Sequence, residues 1–362
     1  MMKNTWLVSI ILLNCNWKKW NKDCIDSILL QTYKNYEIIF VDNKSTDWSL
    51  EEIETIFNKE INLWKIKIVK NKENLWFAWW NNAWVMNSSK KAKYIWLLNN
   101  DTVIDKNCLL ELVKWLEDNT QLWAVSSVIL DKWCESQIRN MIENWKVLIM
   151  NIFGLQTREN ASIKNNVYYT NFSSWCSFLY RKSIVDLPFF DFYKIYAEDV
   201  QLSREIILKW YKLWVCKNSF VHHFWSATMN KMPYTKVYLD TRNLMLNYHA
   251  FLKKPSRLKL FIPCIFSHIL KLIINRSNFT TYFKANRNSI LWIIKNRKCI
   301  NIVRERINNW RKMSEREFLS TMSCKLVAND DSHPNSLKQK IITIINFLNK
   351  LYYNVFNIIY YK

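Results

Sequence analysis

Short apolar runs that end abruptly in polar side chains constrain the fold of this chain more than any other feature of its sequence. Each run is long enough for one buried strand and too short for a helix, and apolar residues at helical spacing stand between the runs. Strands that alternate with helices form a parallel sheet covered on both faces, so we predict an α/β fold with a Rossmann-like, mostly parallel sheet. The four clearest runs are residues 7–13, 36–41, 66–69 and 94–98.

Polar residues follow three of these runs at the point where each predicted strand ends. Asn14 follows the first run, Asp42 the second, and Asn99, Asn100 and Asp101 the fourth. The carboxyl ends of parallel strands meet at one edge of the sheet, which is where open α/β sheets bind ligands. A carboxylate at such a strand end suits Mg²⁺ or Mn²⁺ shared with a substrate phosphate. A polar strand-to-helix turn is the alternative interpretation of the Asn-Asn-Asp sequence.

Glycine is almost absent from the sequence. Average usage predicts about 25 glycines in a chain of this length, yet the only one is Gly154, whereas tryptophan occurs 20 times. Many of the tryptophans stand where a turn favours glycine, as in Asp47-Trp48 and Lys209-Trp210. Some bacteria read the UGA codon as glycine, and the standard reading of such a gene writes tryptophan there. We therefore predict that many of these tryptophans are glycines in the native protein.

Positive charge is concentrated in the last third of the chain. Residues 250–362 contain 21 Lys and Arg against 5 Asp and Glu, and so carry +16 of the net charge of +22. Two apolar segments in this part are interrupted by polar residues too often to span a bilayer. They are instead suited to lying in the membrane interface, or alternatively to packing onto the preceding domain. We divide the chain into an α/β domain (1–250), a basic amphipathic helical segment (251–312), a polar linker (313–337) and a C-terminal amphipathic helix (338–362).

The composition excludes several classes of protein. Half of the residues are hydrophobic, which excludes a chain that is disordered throughout. The nine cysteines are scattered without a Cys-x-x-Cys pair, as is typical of reduced cytosolic thiols rather than of disulfide or zinc frameworks. The N-terminus has no charged-then-apolar leader, so we expect no signal peptide and a cytoplasmic location.

About residues 5–250 resemble glycosyltransferase family 2, the inverting nucleotide-sugar transferases of GT-A fold, and especially its rhamnosyltransferase-like bacterial members. The resemblance implies a GT-A domain followed by a mainly helical C-terminal extension. It also supports the recoding hypothesis, although Trp96 is predicted to be a true tryptophan. The segments that carry the resemblance, in the family's order, are residues 8–16, 27–33, 41–49, 74–82, 98–102 and 197–203. The family has glycine at the positions of Trp17, Trp48, Trp76, Trp79, Trp80, Trp84, Trp175, Trp210 and Trp225.

The resemblance assigns the catalytic and metal-binding roles to acidic side chains. Asp199, in the pair Glu198-Asp199, matches the family's catalytic base, with a helix N-terminal acidic pair as the alternative. Asp101 matches the last position of the Asp-x-Asp-like metal motif and would hold Mg²⁺ or Mn²⁺, although asparagines fill the first two positions and remove negative charge. His223, after a later strand, would bind the metal or a diphosphate oxygen, unless it is a packed histidine.

The resemblance also places the donor nucleotide at the strand ends. Asp42 corresponds to the aspartate that accepts a hydrogen bond from the nucleotide base, and Asp47 would contact the same region of the nucleotide. Turn capping is the alternative role for both residues. Arg242 is a further candidate for a phosphate contact. The remaining donor-site candidates are Asn14, Asn81, Asn99 and Asn100.

The implied activity is transfer of a sugar, rhamnose or another hexose, from a nucleoside-diphosphate sugar to a lipid-linked or polysaccharide acceptor in cell-surface glycan synthesis. The basic C-terminal segment would hold the protein peripherally on the inner face of the cytoplasmic membrane. A basic, aromatic-rich nucleic-acid-binding protein is the alternative. Because the excess charge lies outside the motif-bearing part of the chain, we expect no nucleic acid partner. A related nucleotidyltransferase would need a Gly-rich phosphate loop near the N-terminus, which is missing.

Overall fold

The computed structural model describes residues 6–73, 87–131, 146–160, 163–164, 167–184, 190–224, 233–329 and 335–361. The strands are β1 (Val8–Asn14), β2 (Tyr36–Asp42), β3 (Ile66–Lys70), β4 (Tyr94–Leu98), β5 (Thr102–Ile104), β6 (Leu122–Asp131), β7 (Lys146–Met150), β8 (Gln156–Asn160), β9 (Ile163–Lys164), β10 (Val167–Thr170), β11 (Ser177–Arg181) and β12 (Lys212–His223). The first five helices are α1 (Lys18–Leu29), α2 (Ser49–Ile56), α3 (Asn58–Asn62), α4 (Cys108–Asp118) and α5 (Glu198–Leu208). The later helices are α6 (Pro233–Phe251), α7 (Lys254–Lys259), α8 (Phe261–Ile274), α9 (Phe279–Lys295), α10 (Arg297–Trp310), α11 (Glu315–Ser320) and α12 (Leu337–Val355).

Ten of the described strands form one sheet, in the order β3-β2-β1-β4-β11-β6-β12-β10-β9, with β5 paired to β12. The pairs β1–β2, β1–β4, β2–β3 and β6–β12 are parallel, which confirms the predicted α/β fold. The sheet is not purely parallel, because β11 lies antiparallel between β4 and β6. A periodic apolar pattern marks a strand without fixing its direction, so the sequence alone did not show this insertion.

Both faces of the sheet are covered, as predicted. On β1, Val8, Ile10 and Leu12 point to one face and pack with α1, α2 and α4. Ile11 points to the opposite face, into a core shared with α5, α6 and the C-terminal helices. This alternation is the period-2 geometry of a strand buried on both sides. The C-terminal extension is mainly helical, again as predicted.

The C-terminal helices are joined to the α/β part by polar contacts around α5. The Arg306 guanidinium on α10 donates to the buried Glu205 carboxylate on α5 at 2.8 Å. The backbone amides of Lys312 and Met313 both donate to the carbonyl of Leu208, the last residue of α5. No helix among the described residues is both long enough and apolar enough to cross a membrane.

Residues 313–329 differ from the predicted polar linker. They contain α11, whose first turn is closed by reciprocal hydrogen bonds between Ser314 and Glu317. The polar residues that suggested a linker are thus a helix cap and an exposed face. The apolar residues between them are buried against the core, namely Met313, Phe318, Leu319, Met322 and Leu326.

Three of the described tryptophans have left-handed backbone conformations, with φ of 63° at Trp48, 58° at Trp64 and 70° at Trp210. All three side chains are more than half exposed, so packing does not account for tryptophan there. A positive φ is routine for glycine and unfavourable for a bulky residue. Trp17 has φ of −120°, which any residue adopts. Trp96 is fully buried and its indole donates to Ser177 Oγ at 3.0 Å, as suits a true tryptophan.

Candidate active site at the carboxyl edge of the sheet

The strand order reverses between β1 and β4, and a network of buried asparagines occupies this switch point. Asn100 Nδ2, after β4, donates to Asn21 Oδ1 on α1 at 2.6 Å. Asn21 Nδ2 donates in turn to Asn14 Oδ1 at the end of β1, at 2.8 Å. Ligands of open α/β sheets bind in the crevice at such a point. The network therefore fixes the carboxyl ends of β1 and β4 at the place where a ligand is expected.

Asp42 and Asp47 hold the turn that follows β2. Asp42 is only 3% exposed, and its two oxygens accept from Asn14 Nδ2 at 2.8 Å and from the Ser45 amide at 3.1 Å. Asp47 accepts from the backbone amides of Lys18 and Ser49. Partial burial tends to raise the pKa of Asp47, but the hydrogen bonds from Ser49 and Lys18 outweigh it and lower the pKa. These contacts are those of the turn-capping alternative.

Asp101 and His223 come together although 122 residues separate them. Asp101 lies in the turn between β4 and β5, and antiparallel pairing with β5 sets His223 opposite Thr102. His223 Nε2 is 3.1 Å from Asp101 Oδ1, and both side chains are buried. His222, its neighbour, instead lies 3.4 Å from Asp105.

The Asp101–His223 pair fits the ligand set of a divalent cation. Two adjacent ligands of an octahedral ion with bonds of about 2.1 Å lie about 3 Å apart, which matches the observed separation. The described residues contain no group of three His, Cys, Asp or Glu side chains that could hold a metal. Substrate phosphate oxygens and water would therefore have to complete the coordination of the ion.

Asp199 lies at the start of α5 and lines a cavity of about 200 Å³. Its Oδ1 accepts from the Val200 amide at 2.8 Å. Burial is the main cause that raises the pKa of Asp199 to about 7; the Val200 hydrogen bond opposes it and the nearby Asp240 carboxylate adds to it. A carboxyl with this pKa exchanges a proton near neutral pH, which suits a general base.

The chain just before Asp199 is strained. Lys194, Tyr196 and Ala197 have φ of 63°, 73° and 57°. Asn243 Nδ2, on α6, donates to the carbonyls of Ile195 and Tyr196 at 3.1 and 2.6 Å. Backbone strain of this kind persists only where the surroundings hold it, and it clusters at functional sites. Asn243 is therefore a positioning residue for Asp199.

Arg242 does not lie where a phosphate contact would require. It is 3% exposed, and its guanidinium donates to the backbone carbonyls of Phe192 and Tyr193. The prediction of a phosphate contact is therefore wrong, because these carbonyls occupy the guanidinium. Sequence reasoning also missed Asn243 and Asp240. Their signal was an uninterrupted run of four polar residues (240–243) within α6, of which those that are buried need hydrogen-bond partners.

Asp101 and Asp199 belong to two clusters on the same edge of the sheet. Phe172 lines the Asp199 cavity. Four residues later, the Cys176 carbonyl accepts from the amide of Asn99, close to Asp101. Four residues span at most about 14 Å, so the segment that lines the Asp199 cavity leads directly to the carboxyl end of β4. The Asn99 carbonyl also accepts from Thr102 Oγ1 at 2.6 Å. Several residues singled out in the sequence lie outside the described part of the chain, namely Asn81, Trp76, Trp79, Trp80, Trp84 and Trp225.

Comparison with known proteins agrees with this architecture. The model of glycosyl transferase family 2 matches residues 9–186. An uncharacterized glycosyltransferase of Haemophilus influenzae is 32% identical over 136 residues, 37% of this chain and 41% of that protein. Glycosyltransferase GlyG of Streptococcus pneumoniae serotype 4 is 30% identical over 112 residues, 31% of this chain and 36% of that protein. The chain thus spans well under half the length of these relatives.

Two solved structures share the fold at low sequence identity. GalNAc-T7 with UDP, GalNAc and Mn²⁺ matches 69% of this chain and 50% of its own, with a TM-score of 0.52 and 14% identity. The mannosyltransferase PcManGT from Pyrobaculum calidifontis, in complex with GDP-Man and Mn²⁺, matches 95% of this chain and 86% of its own, with a TM-score of 0.50 and 13% identity. Such likeness shows the GT-A fold. Residues 9–186 of this chain therefore form a glycosyl transferase family 2 domain.

Proposed function

We propose that this protein is an inverting glycosyltransferase that moves a hexose or deoxyhexose from a nucleoside-diphosphate sugar to a hydroxyl of a glycan or lipid-linked acceptor. The observation that carries the proposal is the Asp199 carboxyl, which faces a cavity on the same edge of the sheet as the Asp101–His223 pair. The nucleic-acid-binding alternative is not favoured, because the family domain covers the motif segments between residues 9 and 102 and the excess charge lies beyond it.

The proposed reaction is a single displacement. The oxygen of the acceptor hydroxyl forms a bond to the anomeric carbon as the bond from that carbon to the diphosphate breaks. The bonding electrons leave with the nucleoside diphosphate, and the hydroxyl proton moves to the Asp199 carboxylate. The strained loop held by Asn243 fixes the position of that carboxylate.

The donor would lie along the carboxyl ends of β1, β2 and β4. Its nucleotide would contact the turn held by Asp42 and Asp47, and its diphosphate would approach Asp101 and His223. Mg²⁺ or Mn²⁺ bound to that pair would neutralise charge on the leaving diphosphate. Both solved structures described above contain Mn²⁺, which supports a divalent cation. The other donor contacts that we propose are Asn14, Asn81, Asn99 and Asn100.

A thermal-shift screen tests the donor. We expect at least one of the UDP-, dTDP- and GDP-sugars to raise the melting temperature by a few degrees, because a ligand at about 100 times its Kd stabilises the fold by about 2.7 kcal/mol. The increase should depend on Mn²⁺ and shrink in an Asp101→Asn variant. Stabilisation by single-stranded RNA and by none of the nucleotide sugars would contradict the proposal.

The proposed location of the enzyme rests on an apolar surface formed by α8 and α12, here called the C-terminal apolar face. On α12 the polar side turns inward, where Asn346 and Asn349 bond to the backbone of residues 324–327. Pro263, Ser267 and Leu270 of α8 are buried. The face consists of the exposed residues Phe261, Ile262, Ile265, Phe266, Ile269, Ile273, Ile274, Ile341, Ile344, Phe347, Leu348, Leu351 and Val355.

We propose that this face lies on an anionic bilayer, the inner surface of the cytoplasmic membrane. Monomeric soluble proteins rarely expose so many large apolar side chains together. Lys338, Lys340 and Lys350 stand exposed on α12 beside them, within a segment of net charge +16. Each basic residue near an anionic leaflet contributes about 1 kcal/mol to binding. A lipid-linked acceptor would meet the enzyme at this surface.

Replacing Phe347 with glutamate should weaken binding to anionic vesicles about tenfold or more, because burial of one phenylalanine contributes about 1.5–3 kcal/mol. The measurement is sedimentation with phosphatidylglycerol vesicles, and binding should fall at high salt. Leu63→Glu is the matched control, since Leu63 is 68% exposed and Phe347 63% exposed. A concentration-dependent dimer that Phe347→Glu breaks, without vesicle binding, would instead identify the face as a contact between two copies.

A further inference from the structure

The cavity beside Asp199 has one polar wall and one apolar wall. The polar wall carries three carboxyl groups, those of Glu198 and Asp199 at the start of α5 and that of Asp240 in α6. The apolar wall belongs to a small hydrophobic cluster that is separate from the two large cores. This cluster consists of Met150, Phe172, Ala197, Val200 and Leu244.

Glu198 supplies the observation that points to a ligand. Its side chain is only 7% exposed, and its Oε2 atom has no hydrogen-bond partner within the described part of the chain. A buried carboxyl oxygen without a partner is costly, and native structures rarely leave one unless a ligand or water satisfies it. A ligand that presents a hydrogen-bond donor to this wall would satisfy it.

The charge of the cavity restricts the ligand further. Among the residues that the structure describes, no Lys, Arg or His lines it. Lys236 and Lys271 interact electrostatically with Asp240, but neither is among the lining residues. Burial raises the pKa of all three carboxyls, and the charge of Asp240 raises those of Glu198 and Asp199 further. Burial and neighbouring carboxyls thus disfavour negative charge in this cavity, and they would disfavour an anionic ligand for the same reason.

We propose that this cavity binds the acceptor sugar ring, that Glu198 and Asp240 accept hydrogen bonds from its hydroxyls, and that the cavity selects a neutral or amino-bearing ring against one with a carboxylate or phosphate. The inference rests on the proposed function and names its acceptor class. A pyranose presents hydroxyls at its edge and an apolar C–H face, which match the two walls. Asp199 would then lie beside the hydroxyl that reacts.

The single glycine of the chain belongs to the same cavity. Gly154 has φ of +88°, and a Cβ atom there would lie 2.4 Å from Leu244 Cδ2. Any side chain at this position would displace Leu244 of the apolar wall. Gly154→Ala is therefore a variant that changes the shape of the cavity without touching a carboxyl group.

The test compares octyl glucoside, octyl glucosaminide and octyl glucuronide as acceptors. We expect the wild-type KM for the glucuronide to exceed that for the glucoside about tenfold or more, because like charges brought together in a buried site repel strongly. Asp240→Asn should reduce this preference to about threefold or less by removing one negative charge. Asp118→Asn, at an exposed position on α4, is the control and should leave the preference unchanged.

A pH profile separates this role from a purely structural one. Asp240→Asn removes a negative charge near Asp199, so the pKa of Asp199 should fall and the acidic limb of kcat/KM should move to lower pH. The other titratable groups close to these carboxyls are Glu198, Tyr196, Tyr282, Lys236 and Lys271.

Saturation-transfer NMR measures binding of the same three glycosides without turnover. It therefore tests the cavity even if the chain transfers no sugar, which separates failure of this inference from failure of the proposed function. Weaker glucoside binding in Gly154→Ala, with donor binding retained, supports the cavity as the subsite. Equal binding of glucuronide and glucoside by the wild type, or preferences that Asp240→Asn leaves unchanged, would overturn the proposal.

Discussion

Replacing Asp199 with asparagine should reduce sugar transfer by about 10²–10⁴-fold, which is the usual contribution of general acid–base catalysis. Asparagine keeps the shape of the side chain but accepts no proton. Because Asp199 lies in the cavity rather than in the Asp101–His223 cluster, donor affinity should stay close to that of the wild type. The measurement is initial-rate transfer, paired with the thermal shift caused by the donor and Mn²⁺.

The wild-type rate should also rise with pH through about 7, because burial raises the pKa of Asp199 to about 7 and the carboxyl must be ionised to accept a proton. Below that pH the base is protonated and transfer should fall about tenfold per pH unit. Asp118→Asn makes the same chemical change at an exposed site and should leave rate and profile unaltered. An Asp199→Asn enzyme within threefold of the wild-type rate would refute the assignment.

Replacing Trp48, Trp64 and Trp210 together with glycine should raise the free energy of unfolding by about 3 kcal/mol. Each of these residues has a positive φ, and a non-glycine residue in that region costs about 1–3 kcal/mol. Their side chains are more than half exposed, so little packing is lost in exchange. Urea unfolding of the triple variant beside the sequence as written is the measurement.

Trp96→Gly is the opposing control. Trp96 is fully buried and hydrogen-bonded, so its loss should lower the free energy of unfolding by about 3–5 kcal/mol. If the recoding hypothesis holds, mass spectrometry of the native protein will find glycine at positions 48, 64 and 210 and tryptophan at 96. A triple variant less stable than the sequence as written, or tryptophan found at all four positions, would count against it.

The strand ends were predictable because polarity changes sharply there. The runs before Asn14, Asp42 and Asn99 became β1, β2 and β4, and their polar ends lie at the carboxyl edge as expected. The α/β fold and the resemblance of residues 9–186 to glycosyl transferase family 2 were confirmed. The roles of Asp42 and Asp47 stay predictions, because the same turn residues serve capping and ligand binding alike.

Contacts across long sequence separations were not predictable. Asp240 and Asn243 meet the Asp199 region only because α6 packs against α5, and helical periodicity does not specify the partner of a face. The same holds for Arg242, whose charge suggested a phosphate although backbone carbonyls surround it. Residues 313–329 were misjudged because the polar cap residues of a short helix resemble a linker in composition.

The contacts between α5 and the C-terminal helices would fix the distance of Asp199 from the membrane if the proposed membrane binding holds. Arg306 and the amides of residues 312 and 313 hold α5, and α5 carries Asp199 at its other end. With the C-terminal apolar face bound to the bilayer, these contacts would prevent the α/β domain from rotating relative to the membrane. The Asp199 carboxylate would then lie at a fixed distance from the bilayer surface. The length of the lipid-linked acceptor, as well as the identity of its last sugar, would therefore decide which glycans are extended.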